Sequence, residues 1–121
     1  MGGRLKRGEV WWVDLGEPRG SEPGFRRPVV IVQDDLLTAS RLETVMVVPL
    51  TTNLRRGLAI GNLEISARQS RLPKPSVALV CQVLCVDKSL FSGRVGALPQ
   101  RVFADLERGL SLALGLGDAA A

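Results

Sequence analysis

The chain has 121 residues, 45% of them hydrophobic and 23% charged, and sixteen Lys and Arg against twelve Asp and Glu leave a net charge of +4. That size and balance suit one compact domain spanning 1–121, and no apolar run approaches the ~20 residues that cross a bilayer. With no histidine and no tyrosine, mechanisms built on a His base, a Ser-His-Asp triad or a His-bearing metal site are excluded.

The charged start has no apolar signal region behind it, and Lys6 stands where a myristoylation signal has Ser or Thr, so the expectation is a soluble cytoplasmic protein without a lipid anchor. Glu9 to Leu15 alternates, putting Trp11, Val13 and Leu15 on one side of a predicted half-buried strand. Trp12 then faces the other way, which leaves at most one of the two tryptophans for the core. Residues 16–24 hold three glycines and two prolines and read as a long loop. Pro28 to Gln33 and Thr44 to Leu50 are β-branched, buried-type strands, with Pro49 marking an end, an edge or a bulge.

Ile60 to Ile65 reads as a weaker strand, residues 77–86 as the longest one, and Arg94 to Leu98 as a short final one. Within residues 77–86, a strand separates Cys81 from Cys85 by about 13 Å, too far for a disulfide, so both are expected as buried reduced thiols. From Pro99 the period changes. Val102, Phe103, Leu106, Leu110 and Ala113 recur at three- and four-residue steps, which predicts an amphipathic helix with Pro99 in its first turn and Gly115 and Gly117 as its stop. Strands joined by short loops and closed by one helix predict a mainly β fold: a small, strongly bent antiparallel sheet or barrel with helical cover.

Thirteen of the sixteen cations are arginine, whose planar guanidinium forks onto phosphate; a GC-rich genome accounts for the same bias. Three places concentrate chemistry. Ser21, Glu22, Arg26 and Arg27 lie in the glycine-rich loop just before a buried strand, with Pro28 biasing Arg27 toward extended geometry. Thr51, Thr52, Asn53, Arg55 and Arg56 follow the strand that ends at Leu50, a composition that suits a phosphate or an ordinary capped turn. Gln82 is a primary amide in an apolar run. Buried unpaired it would cost about 1–3 kcal/mol, so it either bonds internally or opens into a site or subunit interface.

The blocks Arg7 to Leu15, Gly20 to Asp34, Val48 to Asn53 and Ser76 to Gln82, in that order and spacing, resemble the signature segments of the MazF/PemK toxins, and Val86 to Leu90 resembles the segment that follows. The resemblance covers residues 7 to about 115. It implies an SH3-like CcdB/PemK barrel, a homodimer, and a toxin-type endoribonuclease that cuts single-stranded mRNA sequence-specifically without a metal or other cofactor. It also implies neutralisation by a MazE-like antitoxin lying over the RNA groove.

Carried across by position, Arg27 and Thr51 match the catalytic arginine and threonine, Ser21 the loop serine and Gln82 the RNA-contacting glutamine. Glu22, Arg26, Thr52, Asn53 and Arg55 join the expected RNA-binding set, with the role of Arg26 left open and nothing carried over from Arg55 to Lys74. The chemistry fits attack by the substrate's own 2′-hydroxyl, giving 2′,3′-cyclic phosphate and 5′-hydroxyl ends, for which the protein supplies donors to a charged transition state. A guanidinium with pKa above ~12 is a very poor base. Arg27 is therefore cast as transition-state electrostatics and acid, and Glu22 as the candidate proton acceptor. Two rival readings use the same fold: a CcdB-like gyrase-poisoning toxin, and a catalytically silent RNA- or antitoxin-binding module. The presence of Arg27 and Thr51 favours the nuclease.

Overall fold

The computed structural model describes residues 4–21 and 24–117. Seven antiparallel strands are hydrogen-bonded into one bent sheet: β1 (Glu9–Asp14), β2 (Arg26–Ile31), β3 (Thr44–Thr51), β4 (Leu63–Ile65), β5 (Ser76–Ala78), β6 (Leu84–Asp87) and β7 (Phe91–Ala97). Their order is β4-β5-β3-β2-β1-β7, with β6 pairing β3 off that path. Two one-turn helices, α1 (Asp35–Thr38) and α2 (Ala67–Ser70), interrupt the strands, and α3 (Gln100–Leu114) follows them.

Alternation along β1, β2 and β3 feeds a core on each side of the sheet. Val10, Val30, Val48 and Leu50 pack with Val102 and Leu106 of α3 on one side. Trp11, Val13, Val29, Ile31, Val45 and Val47 pack with Val86 and Phe91 on the other. Burial on both faces explains why these strands read as nearly continuous Val and Ile runs. The tryptophans divide as the alternation predicts. Trp11 lies in a core, buried edge-on to Phe91 with ring centroids 6.1 Å apart, while half-buried Trp12 packs at the margin of the opposite cluster.

Pro49 is buried within β3, at the break where the strand's second neighbour changes from β6, paired over Thr44 to Val47, to β5, paired at Leu50 and Thr51. The missing proline N–H thus falls between two ladders. A polar set around buried Glu9 lies at the opposite end of the sheet. Glu9 Oε1 accepts from the Lys6 N–H and from Trp11 Nε1, both at 2.9 Å, and its Oε2 pairs with Arg94 Nε at 2.7 Å.

The predicted C-terminal helix is present, with Pro99 just ahead of it and Gly115 as its left-handed cap at φ 67°. The Leu116 N–H returns to the Ser111 carbonyl at 2.9 Å, closing the last turn. Val102 and Leu106 are buried, Phe103 and Leu110 pack at the core margin, and Ala113 is exposed. Midway along α3, Gly109 meets Gly61 backbone to backbone, and a Cβ on Gly109 would overlap the Gly61 carbonyl oxygen.

Four expectations change. Residues 77–86 are not one strand: β5 ends at Ala78, a helical turn at Val80–Gln82 intervenes, and β6 starts at Leu84. A continuous apolar run carries no period with which to mark that break. Cys81 and Cys85 are consequently exposed, not buried. The strand expected over Ile60 to Ile65 shrinks to Leu63–Ile65, with Ile60 81% exposed, and the final strand begins earlier, at Phe91.

Candidate functional site

The ends of β2 and β3 build the centre of the site. Val29 lies opposite Pro49, and the same antiparallel register carried two residues further sets Arg27 level with Thr51. Both are half-buried and, by strand alternation, share the face of Val29 and Val47. The Arg27 guanidinium donates from Nε to the Gly24 carbonyl at 3.2 Å and from Nη1 to the Leu50 carbonyl at 3.4 Å. These contacts fix the plane of the fork. Burial, and after it the charge of Arg56, hold the Arg27 guanidinium below its ordinary value.

Thr51 Oγ1 accepts the Asn53 N–H at 3.2 Å, so its own O–H is free to donate outward. Asn53 then caps the helical turn Leu54–Leu58, its Oδ1 accepting from the Arg55 N–H at 3.3 Å. Thr52, Asn53 and Arg55 are all exposed beside Thr51. The turn folds back onto β5: an added Cβ on Gly57 would sit 3.6 Å from Val77 Cγ2, and Val77 is the register partner of Thr51.

Ser21 and Gln82 come together in an adjoining cleft of about 920 Å³, whose walls also include Leu15, Arg19, Cys81 and Leu84. Gln82 is half-buried and lines this cleft. Its helical turn is tied to β3 by the Leu79 N–H on the Pro49 carbonyl at 2.9 Å. The far end of the loop is closed by Phe25 at φ 57°, whose carbonyl accepts the Leu15 N–H at 2.9 Å. A bulky residue in the left-handed region is a strained joint, and it turns the chain into β2.

Arg26 is not gathered into this group. It points to the other face of β2, where its guanidinium lies 4.4 Å from the centroid of the Trp12 ring. Glu22 lies outside the described residues. Arg56, expected from the sequence to supply counter-charge to a phosphate together with Arg55, acts electrostatically on Arg27. One residue that sequence reasoning did not single out belongs here: Asn62 links the two turns, donating from Nδ2 to the Arg56 carbonyl at 2.8 Å and accepting the Val80 N–H on Oδ1 at 3.1 Å. Nothing in the local pattern pointed to Asn62.

Among the described residues no group of three or more Cys, Asp or Glu side chains is placed to hold a metal ion. The arrangement offers a fixed guanidinium, a free hydroxyl, a second guanidinium nearby and a cleft with amide and hydroxyl walls. These are donors for an anionic, phosphate-bearing ligand.

Comparison with known proteins agrees with this reading. The family model of the PemK-like, MazF-like toxins of type II toxin-antitoxin systems matches residues 6–114. The chain is 38% identical over 112 residues to Endoribonuclease MazF2 of Mycobacterium bovis, covering 93% of this chain and 98% of that protein. It is 31% identical over 115 residues to Endoribonuclease MazF of Staphylococcus epidermidis, covering 94% of each. Among solved structures, MazF of Deinococcus radiodurans superposes with a TM-score of 0.78 at 18% identity, over 93% of this chain and 97% of that one. A mycobacterial endoribonuclease in complex with its cognate antitoxin superposes with a TM-score of 0.76 at 20% identity, over 93% and 96% of the two chains.

Proposed function

The chain belongs to the PemK-like, MazF-like toxins of type II toxin-antitoxin systems, and from that premise we propose that it is a cytoplasmic, homodimeric endoribonuclease toxin. It cleaves single-stranded mRNA at a specific sequence without a metal and is silenced by a MazE-like antitoxin. The observation that carries the reading is the level setting of Arg27 and Thr51 at the adjoining ends of β2 and β3.

The 2′-oxygen attacks the adjacent phosphorus, the new 2′-O–P bond forms as the P–O5′ bond breaks, and charge accumulates on the phosphoryl oxygens. Arg27 and the Thr51 hydroxyl donate to that charge, and because both are already fixed, little reorganisation accompanies the step. The 2′-hydroxyl proton goes to a base, for which Glu22 is the candidate, and the departing 5′-oxygen takes a proton. A guanidinium held below its ordinary value is a better donor for that proton than a free one. Ser21 and Gln82 line the cleft where flanking nucleotides lie, and Thr52, Asn53 and Arg55 contact the backbone beyond Thr51.

The test is incubation with a long single-stranded RNA in excess chelator, followed by mapping of the ends. Cuts at one short sequence with 2′,3′-cyclic phosphate and 5′-hydroxyl ends are expected. Intact RNA, or cleavage only on adding magnesium, overturns the proposal. Intact RNA would leave the gyrase-poisoning or silent-binder readings, and a gyrase-inhibition assay separates those two.

A further inference from the structure

We infer that Phe25 is the platform on which a base beside the scissile phosphate stacks, a role that rests on the nuclease reading above. The chain has two Trp, three Phe and no Tyr, and four of these five rings already have a partner. Trp11 and Phe91 pack edge-on within one core. The Arg26 guanidinium lies over Trp12, 4.4 Å from the ring centroid, and that of Arg7 over Phe103 at 4.7 Å. Phe25 belongs to neither core and is 62% exposed, and among the described residues no aromatic ring or guanidinium covers it.

The place of the ring follows from the Arg27 side chain and from bonded geometry. Arg27 Nε donates to the Gly24 carbonyl at 3.2 Å, and that carbonyl belongs to the peptide leading into Phe25. Standard bond lengths then put the Phe25 Cα within about 6 Å of Arg27 Nε, and the ring centre within about 10 Å whichever rotamer it takes. This is the reach from a phosphate to the bases attached on either side of it. The backbone under the ring is held firmly: the Phe25 N–H donates to the Gly16 carbonyl, its carbonyl accepts the Leu15 N–H at 2.9 Å, and Gly24 packs so closely that a Cβ there would overlap Pro18. A ring with two rotatable bonds on a fixed backbone loses little freedom when a base settles on it.

At φ 57° Phe25 occupies the left-handed region, which a bulky side chain enters only against strain and glycine enters freely. The fold thus keeps a strained residue that gains nothing from core packing, and such outliers gather where a ligand is gripped. Single-stranded RNA presents unpaired bases whose faces stack on aromatic side chains. Arg26 and Arg27 follow Phe25 directly in the chain, so an exposed ring and cations for the backbone meet the same stretch of strand.

The test measures binding of a short RNA that carries the mapped site with a 2′-deoxy nucleotide at the scissile position, so that it cannot be cut, alongside single-turnover cleavage of the all-ribose strand. Phe25→Gly and Phe25→Leu should weaken binding by ~5- to 100-fold, and Phe25→Tyr should bind like the wild type. Phe25→Gly should melt at or above the wild-type Tm, because the strain is gone. Abasic substitution on either side of the scissile phosphate should find one position that weakens wild-type binding by a similar factor and leaves Phe25→Leu no weaker than before, the non-additivity of two groups in contact. Wild-type binding by Phe25→Gly with cleavage intact, or equal binding by the Leu and Tyr variants, overturns the platform and leaves the ring to a protein partner. An abasic loss of the same size in Phe25→Leu overturns it as well, since the stacked base then lies elsewhere. A wild-type protein that neither binds nor cuts RNA refutes the nuclease reading itself.

Discussion

Gly109→Ala is expected to destabilise the protein although it improves the helix locally. Alanine in a helix interior is favoured over glycine by about 1 kcal/mol. Against that, a Cβ at 109 would overlap the Gly61 carbonyl oxygen and lie 3.1 Å from its carbon. The obstacle is backbone, which no rotamer change can move aside.

Overpacking of this kind costs 1–3 kcal/mol, and a backbone clash belongs at or beyond the upper end, which leaves a net loss of about 2 kcal/mol. At ~2.1 cal/mol/K per residue of unfolding entropy, that lowers Tm by roughly 8 °C. Calorimetry or a urea melt followed by tryptophan fluorescence reads the change. Gly93→Ala is the control, because a Cβ there meets nothing within 4 Å. A Gly109→Ala variant as stable as the wild type, or more so, would mean that α3 is not held against Gly61 and that the account of this contact is wrong.

Arg27→Lys keeps charge but loses the planar fork, and Thr51→Val keeps shape but loses the hydroxyl; each should cut single-turnover cleavage by ~100-fold or more with a modest loss of RNA affinity. Equal losses in both quantities would make them binding residues only. Glu9→Gln presents an amide where Arg94 Nε now meets a carboxylate oxygen, and should cost about 1–3 kcal/mol in a urea melt; an unchanged midpoint would refute a structural role for the pair. With no histidine in the chain, the pH profile of cleavage should show no inflection near ~6.5 assignable to an unperturbed imidazole. The Ser89 hydroxyl and N–H hold the Asp87 carboxyl below its ordinary value. Its contribution to stability is therefore present above the ordinary carboxylate pKa and lost as pH falls through the lowered one. Asp87→Asn should be less stable than wild type near neutrality and converge with it in strong acid, and a gap that persists in acid would contradict this.

Period and punctuation were enough to read β1, the core of β2 and β3, and α3, because each carries a clear pattern of burial or a marked end. Ser66 and Gln69 stood at capping-box spacing, and the box forms in α2, a signal present but not used. The division of residues 77–86 was hidden because it is set by which neighbour β3 takes on either side of Pro49, a property of two distant segments. Arg27, Thr51, Ser21 and Gln82 could be named from their motif blocks. How the turn carrying Arg55 and Arg56 folds back beside Thr51 depends on Asn53 and Asn62 bonding its backbone, and no local pattern encodes that. Arg26 illustrates the same limit, since one residue along a strand reverses the face.

The central position of β3 has a consequence for how such a protein changes over time. Thr51 ends a strand bonded along its length to three others, β2, β5 and β6, so opening the strand that carries it requires something close to global unfolding, and amide exchange at the centre of β3 should be among the slowest in the chain. Ser21 and the cleft wall around it are carried on an exposed loop outside the ladder. On the proposed function, substitutions that retune which nucleotides fit can therefore accumulate in the loop at little cost in folding, while the bond-breaking end stays under the full constraint of the sheet. The reaction and the reading of sequence are free to evolve at different speeds.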